Sequence, residues 1–319
     1  MPENYHNLEL IFEAIKQHKI PFRITGDFGF LMPYLGLIKG CGGSNPCPFC
    51  DQRKTTEGGG GPRWVGEGTE VSLRKLGDLF SDYGGWVMSG EGTSAASTRE
   101  WRSVCAPPLL PMTQGRNYDD LVLTWLVPGP LPLFLSLNEI LNFVEKTAWP
   151  EVKQVLKDVV GVDFHIYQGK VGNYEGPGLR KILRNLNKLE PYLLGGSLKR
   201  LYHVTFLAFK DVAESVFCEG DLHPAWRERL HHLRSGIMLL SSNFGMSVTP
   251  KLHILITHVE QWVDLFGRSL GREGEAPGEA VHHTWKKLLE TLGEPKVKES
   301  PAFVKVISKA LLIFNANNA

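Results

Sequence analysis

A chain of 319 residues with 42% apolar content is long enough to bury one large core or two modest ones. It contains no apolar run of about eighteen residues, and neither end carries a signal-peptide or lipid-anchor pattern, so no membrane is expected as a partner. A formal net charge of +1 excludes a global attraction to nucleic acid, so any DNA surface must be local.

In chain order, residues 5–18 place Leu8, Ile11, Phe12 and Ile15 at helical spacing, with Pro21 as the stop. The short apolar stretch "PFRIT" predicts a strand leading to Gly26 and Asp27. "FGFLMPYLGLI" reads as a buried helix in which Pro33 lies in the first turn or makes a kink. From about 54 to 120 the chain is glycine-rich and without sustained period, apart from a helix near 71–83; this predicts a variable insertion.

Beyond 130, apolar stripes predict helices over 133–148, 150–160, 178–189, 197–218, 223–243, 249–266, 277–292 and 301–314, with "DFHIYQG" as a brief extended interruption. No internal repeat is visible. The eight tryptophans are scattered, which suits core anchors and not a base-stacking array.

Five cysteines (Cys41, Cys47, Cys50, Cys105 and Cys218) are too sparse for a disulfide framework and point to reduced thiols in an intracellular protein. Cys47 and Cys50 stand in "CPFC", a spacing shared by glutaredoxin-like dithiols and by metal sites. A redox thiol needs a preceding strand and a following helix, whereas here "GCGGSN" precedes and "GGGG" follows closely. A structural zinc site needs two further ligands, and "TPKLHILITHVEQW" offers His253 and His258. Residues five apart on a regular helix diverge by about 140°, so this pair is expected to share an ion only if the helix is distorted or begins between them. Alone, two such histidines are more often ordinary core or surface groups.

The ordered set "ITGDFGFLMPYLGLIKGCGGSNPCPFCDQRK", "YQGKVGNYEGPGLRKIL" and "VTPKLHILITHVEQWVDLFGRSLGREGEAPGEAVHHTW" resembles the DDE transposase group that includes Transib elements and the catalytic subunit of the V(D)J recombinase, over about residues 22–290. The resemblance implies an α+β, mostly α fold: a partial RNase H-like domain with a large helical zinc-binding insertion. It implies Asp27 as the second catalytic acid and Glu279 as the third, with Glu275 as a nearby rival, and Cys47, Cys50, His253 and His258 as ligands of a structural Zn2+. The acids would hold Mg2+ (or Mn2+), since in-line displacement at phosphorus uses two hard cations on carboxylate oxygens. Read without the resemblance, Asp27 is a helix cap and Glu279 an acid favoured by a helix dipole.

The implied organisation is 1–53 as the second half of the RNase H-like core, 54–120 as the insertion, 121–270 as the helical part with the histidines, and 271–319 as C-terminal helices with the third acid. A complete member carries a first aspartate roughly a hundred residues before the second. This chain begins 26 residues before Asp27, so a truncated or decayed member, inactive alone, is expected. Pro177 also stands where the group tends to have asparagine.

The implied partner is double-stranded DNA, held by a homodimer in the nucleus. Between Lys170 and Arg200 seven basic residues face two acidic ones, and Lys170, Arg180, Lys181 and Arg184 are the candidate phosphate contacts. Spacing by four at Arg180, Arg184 and Lys188 equally suits a solvated helix face. The doublets His231-His232 and His282-His283 suit capping or surface roles. Two alternatives remain: a non-enzymatic zinc-stabilised helical interaction module, and a glutaredoxin-like oxidoreductase.

Overall fold

The strand expected at "PFRIT" forms over Ile24–Gly26 (β1) and pairs in parallel with Leu126–Pro128 (β2), in the register Ile24 with Leu126 and Gly26 with Pro128. This computed structural model describes residues 24–26, 28–38, 43–53, 71–94, 96–109, 117–167 and 170–273. All three β2 residues are buried, as suits a parallel pair covered on both faces.

After β1 the chain turns into the helix Phe28–Tyr34 (α1). Pro33 lies in its last turn and not its first; beyond it the Leu35 N–H still donates to the Leu31 carbonyl (3.1 Å) before the chain turns away. Gly36 then takes φ +72°, and a Cβ there would lie 2.0 Å from the Ala106 carbonyl oxygen, so the turn requires glycine twice over. Within 54–120 the described residues carry core: Arg74, Leu76, Leu79 and Val104 are fully buried, and the helix near 71–83 runs over Leu76–Ser89 (α2).

The short helix Val122–Trp125 (α3) leads into β2, and Pro130–Leu135 (α4) leaves it with proline at its first position. The single helix expected over 133–148 is two, because buried Ser136 turns its hydroxyl back to the Leu133 carbonyl before Leu137–Thr147 (α5) begins. The expected 150–160 helix is Val152–Val155 (α6) followed by a π-helical turn, Leu156–Val160, closed by Gly161 at φ +68°.

"DFHIYQG" supplies His165–Tyr167 (β3), which pairs antiparallel with an unexpected strand, Lys170–Asn173 (β4). Buried Asn138 then anchors the exit of this hairpin, bonding both backbone groups of Tyr174. The helix expected over 178–189 breaks at Asn185 into Gly176–Arg184 (α7) and Leu186–Leu193 (α8).

Ser197–Ser215 (α9) and Trp226–Phe244 (α10) pack along each other, with Gly236 placed directly against Thr205. Pro250–Phe266 (α11) starts at Thr249, whose hydroxyl accepts the Leu252 N–H, and ends at Gly267 in the left-handed region. This helix is buried on every face from Leu252 to Glu260, which makes it the axis of the core. It packs against β2, α3 and α4 on one side and α10 on the other.

The described chain is therefore mostly helical with two small sheets, α+β in class. No described helix is long and apolar enough to cross a membrane. The helices expected over 5–18, 277–292 and 301–314 lie outside the described residues.

Candidate metal centre

The Cys-Pro-Phe-Cys segment is an irregular loop held from behind by the extended run that precedes α2. Cys50 bridges Leu73, the Asp51 N–H donates to the Ser72 carbonyl (3.2 Å), and the Arg74 N–H donates to the Phe49 carbonyl (2.9 Å). These bonds aim both thiols inward, where Cys47 and Cys50 are fully buried. His253 and His258 reach the same point from α11, likewise buried.

The four ligand atoms lie within 4.8 Å of one another. Cys50 Sγ is 3.3 Å from His253 Nε2, which is 3.2 Å from His258 Nε2. A tetrahedral zinc ion with bonds of about 2.0 Å to nitrogen and 2.3 Å to sulfur has edges of about 3.3 to 3.8 Å, so the Cys50–His253 and His253–His258 separations fit one.

The expectation that the helix must be distorted or begin between the histidines is corrected. Pro250–Phe266 runs unbroken through both, and His253 N–H bonds the Thr249 carbonyl at 2.8 Å. The rings instead reach toward each other over the face between them, crossing at 80° with centroids 5.0 Å apart. At about 100° per residue that face carries Ile254 and Gln261. Gln261 uses the position: its Oε1 accepts the His258 Nδ1 proton at 2.7 Å, which leaves Nε2 with its lone pair toward the cage. Phe49 packs its ring 5.6 Å from that of His258 and keeps the site dry.

Electrostatics match a metal site. Burial pushes the Cys50 thiol up to about 11, with Cys47 adding to the effect and His253 and His258 opposing it. Burial also raises Cys47, but hydrogen bonds from Cys50 and from the Phe49 and Cys50 backbones, with the nearby Arg74 charge, outweigh it and bring that thiol below its ordinary value. Cys47 therefore loses its proton more readily than Cys50. Burial lowers the pKa of His253, which keeps its imidazole neutral, the form that ligates. Two sulfurs and two imidazoles form the donor set of a structural Zn2+ with no open position for substrate.

The chain has no match among family models or curated proteins.

Asp27 and Glu279 lie outside the described residues, as do Glu275, His282 and His283. Lys170 stands in β4, with its side chain also outside the description. Arg180, Lys181 and Arg184 are exposed on α7, opposite buried Leu179, Ile182 and Leu183. Lys181 donates to the Gly161 carbonyl at 2.8 Å, and Arg180 lies 5.6 Å from the centroid of the Phe134 ring. His231 contacts Glu260 at 3.1 Å.

Sequence reasoning missed Gln261 and Arg74. The first was within reach, since a residue three after a helical histidine shares its face. Arg74 lies in a stretch read as insertion, and nothing local distinguishes it from a surface cation.

Proposed function

We propose that the chain is a DNA-binding protein derived from a DDE-type transposase or recombinase, in which the Cys2His2 centre is scaffold and not catalyst. The observation that carries this reading is the convergence of Cys47 and Cys50 with His253 and His258, from sites about two hundred residues apart, in the order the resemblance implies. A structural ion there ties the segment that follows Asp27 to the helix that precedes Glu279.

Two features give further support. β1 ends one residue before Asp27 and lies parallel to β2, which suits a carboxylate at the end of a strand in a partial RNase H-like sheet. Asp27 and Glu279 are then the side chains that would take Mg2+ (or Mn2+), as hard cations require. Arg180 and Arg184 project into solvent from the exposed face of a helix whose other face is buried, where phosphates can reach them.

A dithiol oxidoreductase is disfavoured on physical grounds. Both thiols are fully buried, and residues 47–53 contain no helix whose N-terminus could activate Cys47.

Binding to duplex DNA, measured as log K against log salt, tests the reading. We expect a steep negative slope, with Arg180→Ala and Arg184→Ala each removing about 0.9 from it. Lys181, already bonded to Gly161, should matter less. A flat salt response contradicts DNA binding and leaves a zinc-stabilised interaction module.

A further inference from the structure

Among the described residues Arg74 is the only arginine in the set of large, fully buried side chains, and its hydrogen bonds go mainly to the backbone of the cysteine loop. Its Nε donates to the carbonyls of Cys47 (3.0 Å) and Cys50 (2.8 Å), and its Nη2 to those of Asn45 (2.8 Å) and Arg102 (3.0 Å). One planar guanidinium therefore fixes the carbonyls of both thiol ligands and of the residue that opens the loop.

The fourth carbonyl explains a second oddity. Arg102 and Ser103 adopt φ +47° and +71°, consecutive left-handed residues without glycine. Such backbone persists only where its surroundings over-determine it. Here the twist turns the Arg102 carbonyl to Arg74, and brings the Ser103 hydroxyl to accept the Asn45 N–H at 2.8 Å. It also points the Arg102 guanidinium at Asp82, through two bonds of 2.7 and 2.9 Å. The loop is gripped on its carbonyls by Arg74 and on an amide by Ser103.

We propose that Arg74, braced by Arg102–Ser103, is the positioning residue of the metal centre: it holds the Cys47–Cys50 loop in ligand-ready shape before an ion arrives. The inference rests on the cage taking a metal. It goes beyond that reading by assigning the pre-formation of the sulfur half to a residue that touches neither sulfur. Lysine cannot replace it, since one ammonium cannot span four carbonyls in a plane.

Zinc affinity by chelator competition and the absorption spectrum of the Co2+-substituted protein are measured for the wild type and for Arg74→Lys. Outer-shell losses of this kind typically cost 10- to 100-fold in affinity, and we expect a loss of about that size. We also expect altered Co2+ d–d bands as the tetrahedron relaxes. Gly236→Ala, which strains a helix crossing that is not part of the cage, serves as a variant destabilised for another reason and should keep the wild-type spectrum. Arg74→Lys with wild-type affinity and spectrum overturns the proposal while leaving the metal centre intact. A wild-type protein that takes up neither ion instead overturns the metal reading itself.

Should Arg74→Lys not fold, hydrogen exchange on the zinc-free wild type decides. Protected Asn45 and Asp51 amides and a slowly exchanging Arg74 Nε–H are expected. Exchange of these groups at unprotected rates, while Ser197–Phe244 stays protected, overturns the proposal.

Discussion

Cys50 Sγ and His253 Nε2 lie 3.3 Å apart although 203 positions separate them in the chain. One ion at this contact would cross-link a loop near the start of the described fold to its central helix.

Metal removal should therefore destabilise the whole unit and not only the loop. An ion bound at a free concentration a thousand times its dissociation constant contributes about 4 kcal/mol. Thermal unfolding with and without a strong chelator measures this. A fall of several degrees, reversed by added zinc, is expected, and Cys50→Ser should behave like the chelated protein.

The thiols predict a pH signature for the chelated protein. Cys50, raised by burial to about 11 from 9.0, keeps its proton in the folded state after the unfolded chain has lost it. Its contribution is full below pH 9 and disappears as pH rises through about 11. Cys47, held below 9.0, has the opposite slope on the acid side, so the pair contributes most near pH 9. Bound zinc keeps both sulfurs deprotonated, so with zinc stability should rise more steeply with pH up to about 9 and then level off instead of falling. Denaturant midpoints across the range, with and without zinc, provide the check.

On another face of the same helix, buried Glu260 accepts from Arg227 (2.8 Å), His231 (3.1 Å) and Arg234 (2.7 Å), all on α10. Burial would raise its pKa, but Arg234, His231 and Arg227 together hold it below 4.5. A depressed carboxylate stabilises above its unfolded pKa, and that contribution is lost as pH falls through the folded value. Glu260→Gln should cost roughly 2 kcal/mol at neutral pH, and the gap should close below pH 4.5.

The α9–α10 crossing gives a steric prediction. A Cβ at Gly236 would lie 2.6 Å from Thr205 Oγ1 and 3.3 Å from its Cβ. Gly236→Ala should destabilise by about 1–3 kcal/mol, and Thr205→Ala in the same chain should recover part of it. Unfolding free energies of the two single variants and the double variant test the coupling.

How much of this was legible in sequence differs from residue to residue. Helix periodicity placed Ser197–Ser215, Trp226–Phe244 and Pro250–Phe266 within a few residues. Side-chain chemistry and spacing offered Cys47, Cys50, His253 and His258 as candidates, and only the resemblance implied that the four belong together. Angular arithmetic failed at His253 and His258 because it treats a residue as a direction and ignores the reach of an imidazole. β2 escaped because "LVLTWLVPG" is an apolar run that suits helix and strand alike. Arg74 escaped because its role is set by carbonyls that come from two segments distant from it in the chain, the 45–50 loop and Arg102. Asp27 and Glu279, the acids on which the proposed transposase reading rests, lie outside the described residues.

X-ray absorption at the zinc edge of the purified protein tests the central claim most directly. One zinc per chain, with two sulfurs at about 2.3 Å and two nitrogens at about 2.0 Å, is the predicted result. A protein without stoichiometric zinc, or with Cys47 and Cys50 joined in a disulfide, would contradict it.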